Sequence, residues 1–172
     1  MSRARPLFDV AWAASRRIYD PANASPAAKV AEVIGGTVAK NITMPPPNNW
    51  KNTCAVRMSY ILNQSGLLIP HIGHKTVSGA DKHWYFYQVG DVIDFLTQRW
   101  GKPDLVMPYP PSNGGSELVS KKGVLLFEVS GWGDSARGHA TLWNGVLCYD
   151  HCYFNELGVT YTTDRANFWS LK

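Results

Sequence analysis

Gly138-His139-Ala140-Thr141-Leu142-Trp143-Asn144-Gly145-Val146-Leu147-Cys148-Tyr149-Asp150 is the stretch that decides the fold. Its centre, Asn144-Gly145, joins the two residue types that most readily adopt the positive φ angles of a type I′ turn, so the flanking runs read as a β-hairpin. A two-residue turn pairs Trp143 with Val146 and therefore sets His139 opposite Asp150. Opposed side chains on one face have Cβ atoms about 4.5–5.5 Å apart. Upstream, Val124-Leu125-Leu126-Phe127-Glu128-Val129 is a further strand, bounded by Gly123 and Gly131.

The N-terminal part follows another period. Residues 8–19 and 26–40 carry helical signals, separated by Pro21 and Pro26, and Gly35-Gly36 interrupts the second. A helix near 91–100 is predicted with Asp91 as its cap, Val92, Phe95, Leu96 and Trp100 as its apolar stripe, and Gly101 as its stop. Met44-Pro45-Pro46-Pro47-Asn48-Asn49 cannot be helical. From Gly66 to about residue 83 the chain reads as loop with short extended pieces. Helices first and antiparallel strands later define an α+β fold, with N-terminal helices packed on a curved antiparallel sheet. The 172 residues contain no internal repeat or interdomain linker, and Ser112–Ser116 is a loop, so residues 1–172 are expected to form a single domain.

Composition narrows the partners. The chain is 45% hydrophobic and 17% charged, with 17 basic and 13 acidic side chains, a net charge of +4 and a pI near 9.0. That balance favours anionic surfaces such as nucleic acid, membrane or cell-wall polymer, without choosing among them. No Lys/Arg run, zinc-finger spacing or helix-turn-helix pattern supports nucleic-acid binding, and no stretch is long enough for membrane insertion. Asp9, Arg16 and Arg17 leave no room for a secretory apolar region after Met1-Ser2-Arg3, so the chain is expected to be made in the cytoplasm.

Cys54 is the first candidate for chemistry. It follows Trp50-Lys51-Asn52-Thr53, in which Asn52 or Thr53 can cap a helix. Met58, Ile61, Leu62 and Ser65 continue one helical face, and Gly66 supplies the stop. A helix N-terminus stabilises a thiolate, the nucleophilic form of cysteine. The plain alternative is a small buried hydrophobe. His139 and Asp150 tip the balance, because a carboxylate can fix an imidazole whose other nitrogen serves a nucleophile.

Cys148 and Cys152 lie four apart, about 13 Å in a continuous strand and beyond disulfide reach. Bridging them demands a sharp turn through Tyr149-Asp150-His151. Two reduced cysteines, or a metal pair completed by His151, are the other readings, although no fourth ligand is evident and no metal or cofactor is expected. His71, His74, His83 and His151 match no metal spacing. Trp50 and Trp132 sit near the proposed catalytic segments as groove or core residues.

The segments Asn52–Asn63, Ser130-Gly131-Trp132, Gly138–Trp143 and Cys148–Phe154, with Tyr87–Val89 through Trp100–Asp104 between them, resemble the type VI secretion amidase effector 4 family over roughly residues 40–155. The resemblance implies a papain-like fold of the NlpC type. It also implies hydrolysis of the peptidoglycan amide between γ-D-glutamate and meso-diaminopimelate. Cys54 would be the nucleophile, His139 the general base and then acid, and Asp150 the orienting group. The Cys54 N–H would help hold the oxyanion, and Asn48 stands roughly where papain-like enzymes place a second donor. A Cys148–Cys152 disulfide is implied too, as are delivery by the type VI secretion apparatus into a rival's periplasm and a neutralising immunity protein. Other papain-like chemistry (a muramoyl-alanine amidase, protease or acyltransferase) and a non-catalytic wall-binding module are the alternatives.

Overall fold

The computed structural model describes residues 4–133 and 137–172; Met1-Ser2-Arg3, read above for a leader, lie outside them. Four helices come first: α1 (Phe8–Ile18), α2 (Pro26–Ile34), α3 (Gly36–Thr43) and α4 (Cys54–Gln64). A short ribbon of β1 (Thr76–Ser78) and β2 (Trp84–Phe86) precedes α5 (Val89–Trp100). Then β3 (Leu105–Pro108), β4 (Gly123–Ser130), β5 (Gly138–Trp143) and β6 (Thr162–Ser170) form an antiparallel sheet in the order β3-β6-β4-β5. The α+β architecture, helices before sheet, is the one the sequence predicts.

The apolar run in β4 is continuous because both faces of the sheet are covered. Val124 and Leu126, with Ala140, Leu142 and Trp169, pack against the helices. Leu125, Phe127 and Val129, with Trp143 and Phe168, face a second core completed by Leu118 and Phe154 from the irregular segments. The helix α4 is buried from Cys54 through Asn63, not along one stripe, because α1, α5, β2 and β5 all pack on it. Its polar side chains have partners inside. Ser59 Oγ donates to the Ala55 carbonyl and accepts from Phe86 N–H. The Asn63 amide joins the Trp84 carbonyl to Ile69 N–H.

Three expectations change. The hairpin does not close in the two-residue register. Asn144 N–H donates to the Leu147 carbonyl, while Asn144 Oδ1 accepts from Val146 and Leu147 N–H. The Asn144 side chain thus organises a four-residue loop. Trp143 bridges to Cys148 instead of Val146, which is 79% exposed, and pairing ends with Tyr149 N–H on the Leu142 carbonyl. The helix α5 begins two residues before Asp91, which instead pairs with Lys75 at 2.9 Å from its position in the first turn. The strand β6 has no counterpart in the sequence reading. Asp164 and Arg165 interrupt its apolar pattern, and a register shift against Glu128/Val129 breaks its alternation.

The missed strand β6 lies between β3 and β4, and its fully buried Trp169 donates from Nε1 to the Gly101 carbonyl at 3.0 Å, tying the sheet to the end of α5. Trp169→Ala is expected to cost about 3–5 kcal/mol, read as a lower urea midpoint at an unchanged denaturant slope.

Candidate active site

Cys54 is the first residue of α4 and is 2% exposed. Its N–H donates to Asn52 Oδ1 at 3.1 Å, so Asn52 rather than Thr53 satisfies the helix start. Its Sγ lies 3.8 Å from the Gly138 carbonyl, which brings the thiol to the edge strand β5, next to His139. The His139 ring and the thiol are near enough to shift each other's ionisation. Its Nε2 stands 3.0 Å from Asp150 Oδ2, off the axis of a well-aligned hydrogen bond, so the contact is chiefly one of charge.

Asp150 is held from several directions. Arg57 Nη2 donates to Oδ2 at 3.0 Å, and Thr141 Oγ1 donates to Oδ1 at 2.6 Å. Thr141 lies two residues beyond His139 on β5, so the strand's period of two places both side chains on the face that Asp150 meets. Arg57 lies one turn beyond Cys54 on α4. It also donates from Nη1 to Thr53 Oγ1 at 3.0 Å and from Nε to Tyr149 Oη at 3.1 Å. A Cys148–Cys152 disulfide closes a ring around Tyr149-Asp150-His151, with Cα atoms 5.5 Å apart. The predicted contact of His139 with Asp150 therefore exists, but this ring makes it by turning the chain back, not by ladder pairing. In the sheet His139 pairs with Phe127.

These contacts set the ionisation. Burial alone pushes the Cys54 thiol up, but the proximity and charge of His139, the Arg57 charge and the Ala140 backbone bring it below its ordinary 9.0. Burial alone would lower His139, yet the charge and proximity of Asp150, with the Cys54 contact, raise it from 6.5 to about 9. Burial opposes the Asp150 charge, but His139, Arg57 and Thr141 hold this carboxyl well below the usual range. The arrangement favours a thiolate–imidazolium pair over the neutral thiol–imidazole pair.

A cavity of about 300 Å³ opens on His139 and Arg57, lined also by Lys51, Asn52, Thr53, Trp132 and Tyr153, with the buried Cys54 just behind its lining. Tyr153 packs on His139 with ring centroids 4.7 Å apart and on Trp132 at 4.9 Å. The other predicted groove residues lie elsewhere. Trp50 stacks on Tyr87 at 5.2 Å, and Asn48 is exposed on the proline turn, its N–H donating to the Pro45 carbonyl. A cavity of about 350 Å³ on Tyr149, lined also by Trp12, Arg16 and Lys29, includes neither Cys54 nor His139. His71 stacks on Trp84, His83 pairs with Asp81, and His151 meets Tyr153. Among the described residues no group of three or more His, Cys, Asp or Glu side chains is placed to hold a metal.

Sequence reasoning missed Arg57, Thr141 and Tyr153. Arg57 left a signal: it is the lone charge in α4 and shares a face with Cys54 at i,i+3, and a charge on a buried face requires a partner.

A helix that presents a cysteine to a histidine on a sheet edge, with a carboxylate behind the imidazole, is the layout of a papain-like thiol hydrolase. The chain belongs to the family described as type VI secretion system amidase effector protein 4, which matches residues 50–169. Solved structures agree along the whole chain. The type VI effector Tae4 from Enterobacter cloacae is 37% identical, with all of both chains covered and a TM-score of 0.84. Tae4 from Salmonella typhimurium, in complex with the immunity protein Tai4 from Enterobacter cloacae, is 38% identical at a TM-score of 0.83, covering 98% of this chain and 100% of that one. In the Tae4–Tai4 complex from Salmonella Typhimurium, Tae4 is 40% identical at a TM-score of 0.81, covering 98% and 99%. Comparison with curated proteins gives no match. By family the chain is an enzyme, an antibacterial amidase effector of type VI secretion.

The ion-pair cluster predicts a stability profile. The folded pKa of His139 lies above its unfolded value, so its contribution is complete below about pH 6.5 and is lost as pH rises through about 9. Asp150 behaves oppositely: its contribution is present above the ordinary carboxylate range and is lost in acid. Thermal midpoints measured from pH 4 to pH 10 should fall on the alkaline side, and His139→Ala should flatten that limb. Arg57→Met removes one partner of a buried pair and should cost about 3–5 kcal/mol in urea unfolding.

Proposed function

We propose that residues 1–172 form a single catalytic domain, a cysteine endopeptidase that hydrolyses the amide between γ-D-glutamate and meso-diaminopimelate in peptidoglycan stem peptides. The observation that carries this reading is the buried Cys54–His139–Asp150 set, whose His139 lines a cleft, in a chain of the amidase effector family. The Cys54 thiolate attacks the γ-glutamyl carbonyl carbon, and the C=O electron pair moves onto oxygen. Collapse of that intermediate expels the diaminopimelate amine, which takes its proton from His139. The acyl-enzyme is then attacked by water, whose proton passes to the now neutral His139, and thiolate leaves. Asp150 orients the ring and stabilises its charged form. Arg57 and Thr141 act through Asp150 and are positioning residues.

The Cys54 N–H can serve the oxyanion only when Asn52 Oδ1 turns away from it, because the two are hydrogen-bonded in the free protein. The Cys148–Cys152 bond suits an oxidising compartment and supports delivery by the type VI apparatus into the periplasm of a target bacterium. The net charge of +4 aids approach to the anionic wall. Because related Tae4 chains are found with Tai4, a cognate immunity protein is the expected antagonist of this chain too.

Purified sacculi digested with the chain should release fragments ending in γ-glutamate and fragments starting with diaminopimelate, identified by mass spectrometry. Cys54→Ala should release none. Cleavage at the muramoyl-alanine bond would assign a different amidase reaction, and full activity in Cys54→Ala would remove the thiol mechanism. The pH profile gives a second test. Loss of the imidazolium proton sets an alkaline limb at about 9, and Asp150→Asn should move that limb down, toward the ordinary histidine value.

A further inference from the structure

Lys51 lines the cleft that opens on His139, three residues before Cys54, and its side chain is exposed. The other cationic side chains lining that cleft have internal counter-charges: Arg57 and His139 both contact Asp150 at 3.0 Å. Lys51 has no ion-pair partner among the described residues. No acidic side chain lines the cleft among those residues, and Asp150, 2% exposed, sits behind Arg57 and His139. The result, among the described residues, is one uncompensated cation in the cleft that His139 lines. A γ-linked glutamyl bond places a free α-carboxylate on the residue being acylated, and diaminopimelate brings a further carboxylate on the leaving side.

We propose that Lys51 is a carboxylate-binding site that reads a free carboxylate of the stem peptide flanking the scissile amide. This rests on the endopeptidase reading above and adds a rule to it: stems whose carboxylate is converted to carboxamide are poor substrates. An ammonium–carboxylate contact gains both charge and a hydrogen bond. A carboxamide loses the charge and turns one acceptor into a donor facing Lys51 Nζ, which can only donate. Lys51 lies outside α4 and carries no hydrogen bond to the helix among the described contacts, so its replacement leaves the Cys54–His139–Asp150 geometry in place.

The test is steady-state kinetics with three synthetic stem tripeptides: unmodified, amidated at the glutamate α-carboxylate, and amidated at the free side carboxylate of diaminopimelate. For the unmodified peptide, Lys51→Met should lower kcat/KM about ten- to a hundredfold, mainly through KM, and Lys51→Arg should recover most of it. On the peptide lacking the recognised carboxylate, the native chain and Lys51→Met should cleave equally slowly, and that peptide identifies which carboxylate is read. Iodoacetamide labelling of Cys54 should be the same in both, which separates substrate recognition from damage to the thiol. An equal loss on all three peptides, or no loss on the unmodified one, overturns the carboxylate site while the native chain still cleaves. Failure of the native chain to cleave any of the three overturns the endopeptidase reading together with it.

Discussion

A carboxylate buried to 2% exposure cannot stay charged without partners, and Asp150 has three: Arg57 from α4, and His139 and Thr141 from β5. Removing a carboxylate from water costs several kcal/mol, so the folded chain must hold all three partners near it at once. That requirement locks the first turn of the nucleophile helix to the edge strand of the sheet. It also explains why the chain after Trp143 does not simply run back as a second strand. The ring closed by Cys148 and Cys152 turns it inward, so that Asp150 meets both elements.

The thiol and the imidazole inherit their ionisation from this anchor. His139 is raised because Asp150 is anionic beside it, and Cys54 is lowered because His139 and Arg57 are cationic beside it. Burial works against every one of these charges, so the set is favourable only as a whole. Packing keeps the whole in place. The sheet is covered on both faces, and α4 is enclosed by helices on one side and β5 on the other.

Much of this was legible from residue pattern. The helix start at Cys54, the stop at Gly66, the strands around 124–129 and 138–143 and the helix ending at Gly101 all rest on local signals that tertiary structure did not override. What failed were inferences from non-local pairing. The residues Asp164 and Arg165 break the apolar alternation of β6, so a strand that pairs along all of β4 left little trace. The two-residue turn was read from Asn144-Gly145 alone, whereas the Asn144 side chain binds two later N–H groups and lengthens the loop. The proximity of His139 and Asp150 was right for a different reason, since the sequence could suggest the pair but not the path that joins it. Arg57 was visible as a charge without an evident purpose. Trp50 and Asn48 looked plausible by nearness along the chain, which does not determine which way a side chain turns.

The complete enclosure of α4 has a consequence for how this protein can change. Along the ten residues from Cys54 to Asn63, every side chain is buried, so any alteration of size there shifts the thiol relative to β5. Variation that retunes substrate choice without disturbing the nucleophile has to fall on the exposed Lys51 ahead of the helix and on the aromatic rim around Trp132. Chemistry and selectivity are thereby divided between a segment that tolerates almost no substitution and one that tolerates a great deal, and the two meet at Thr53.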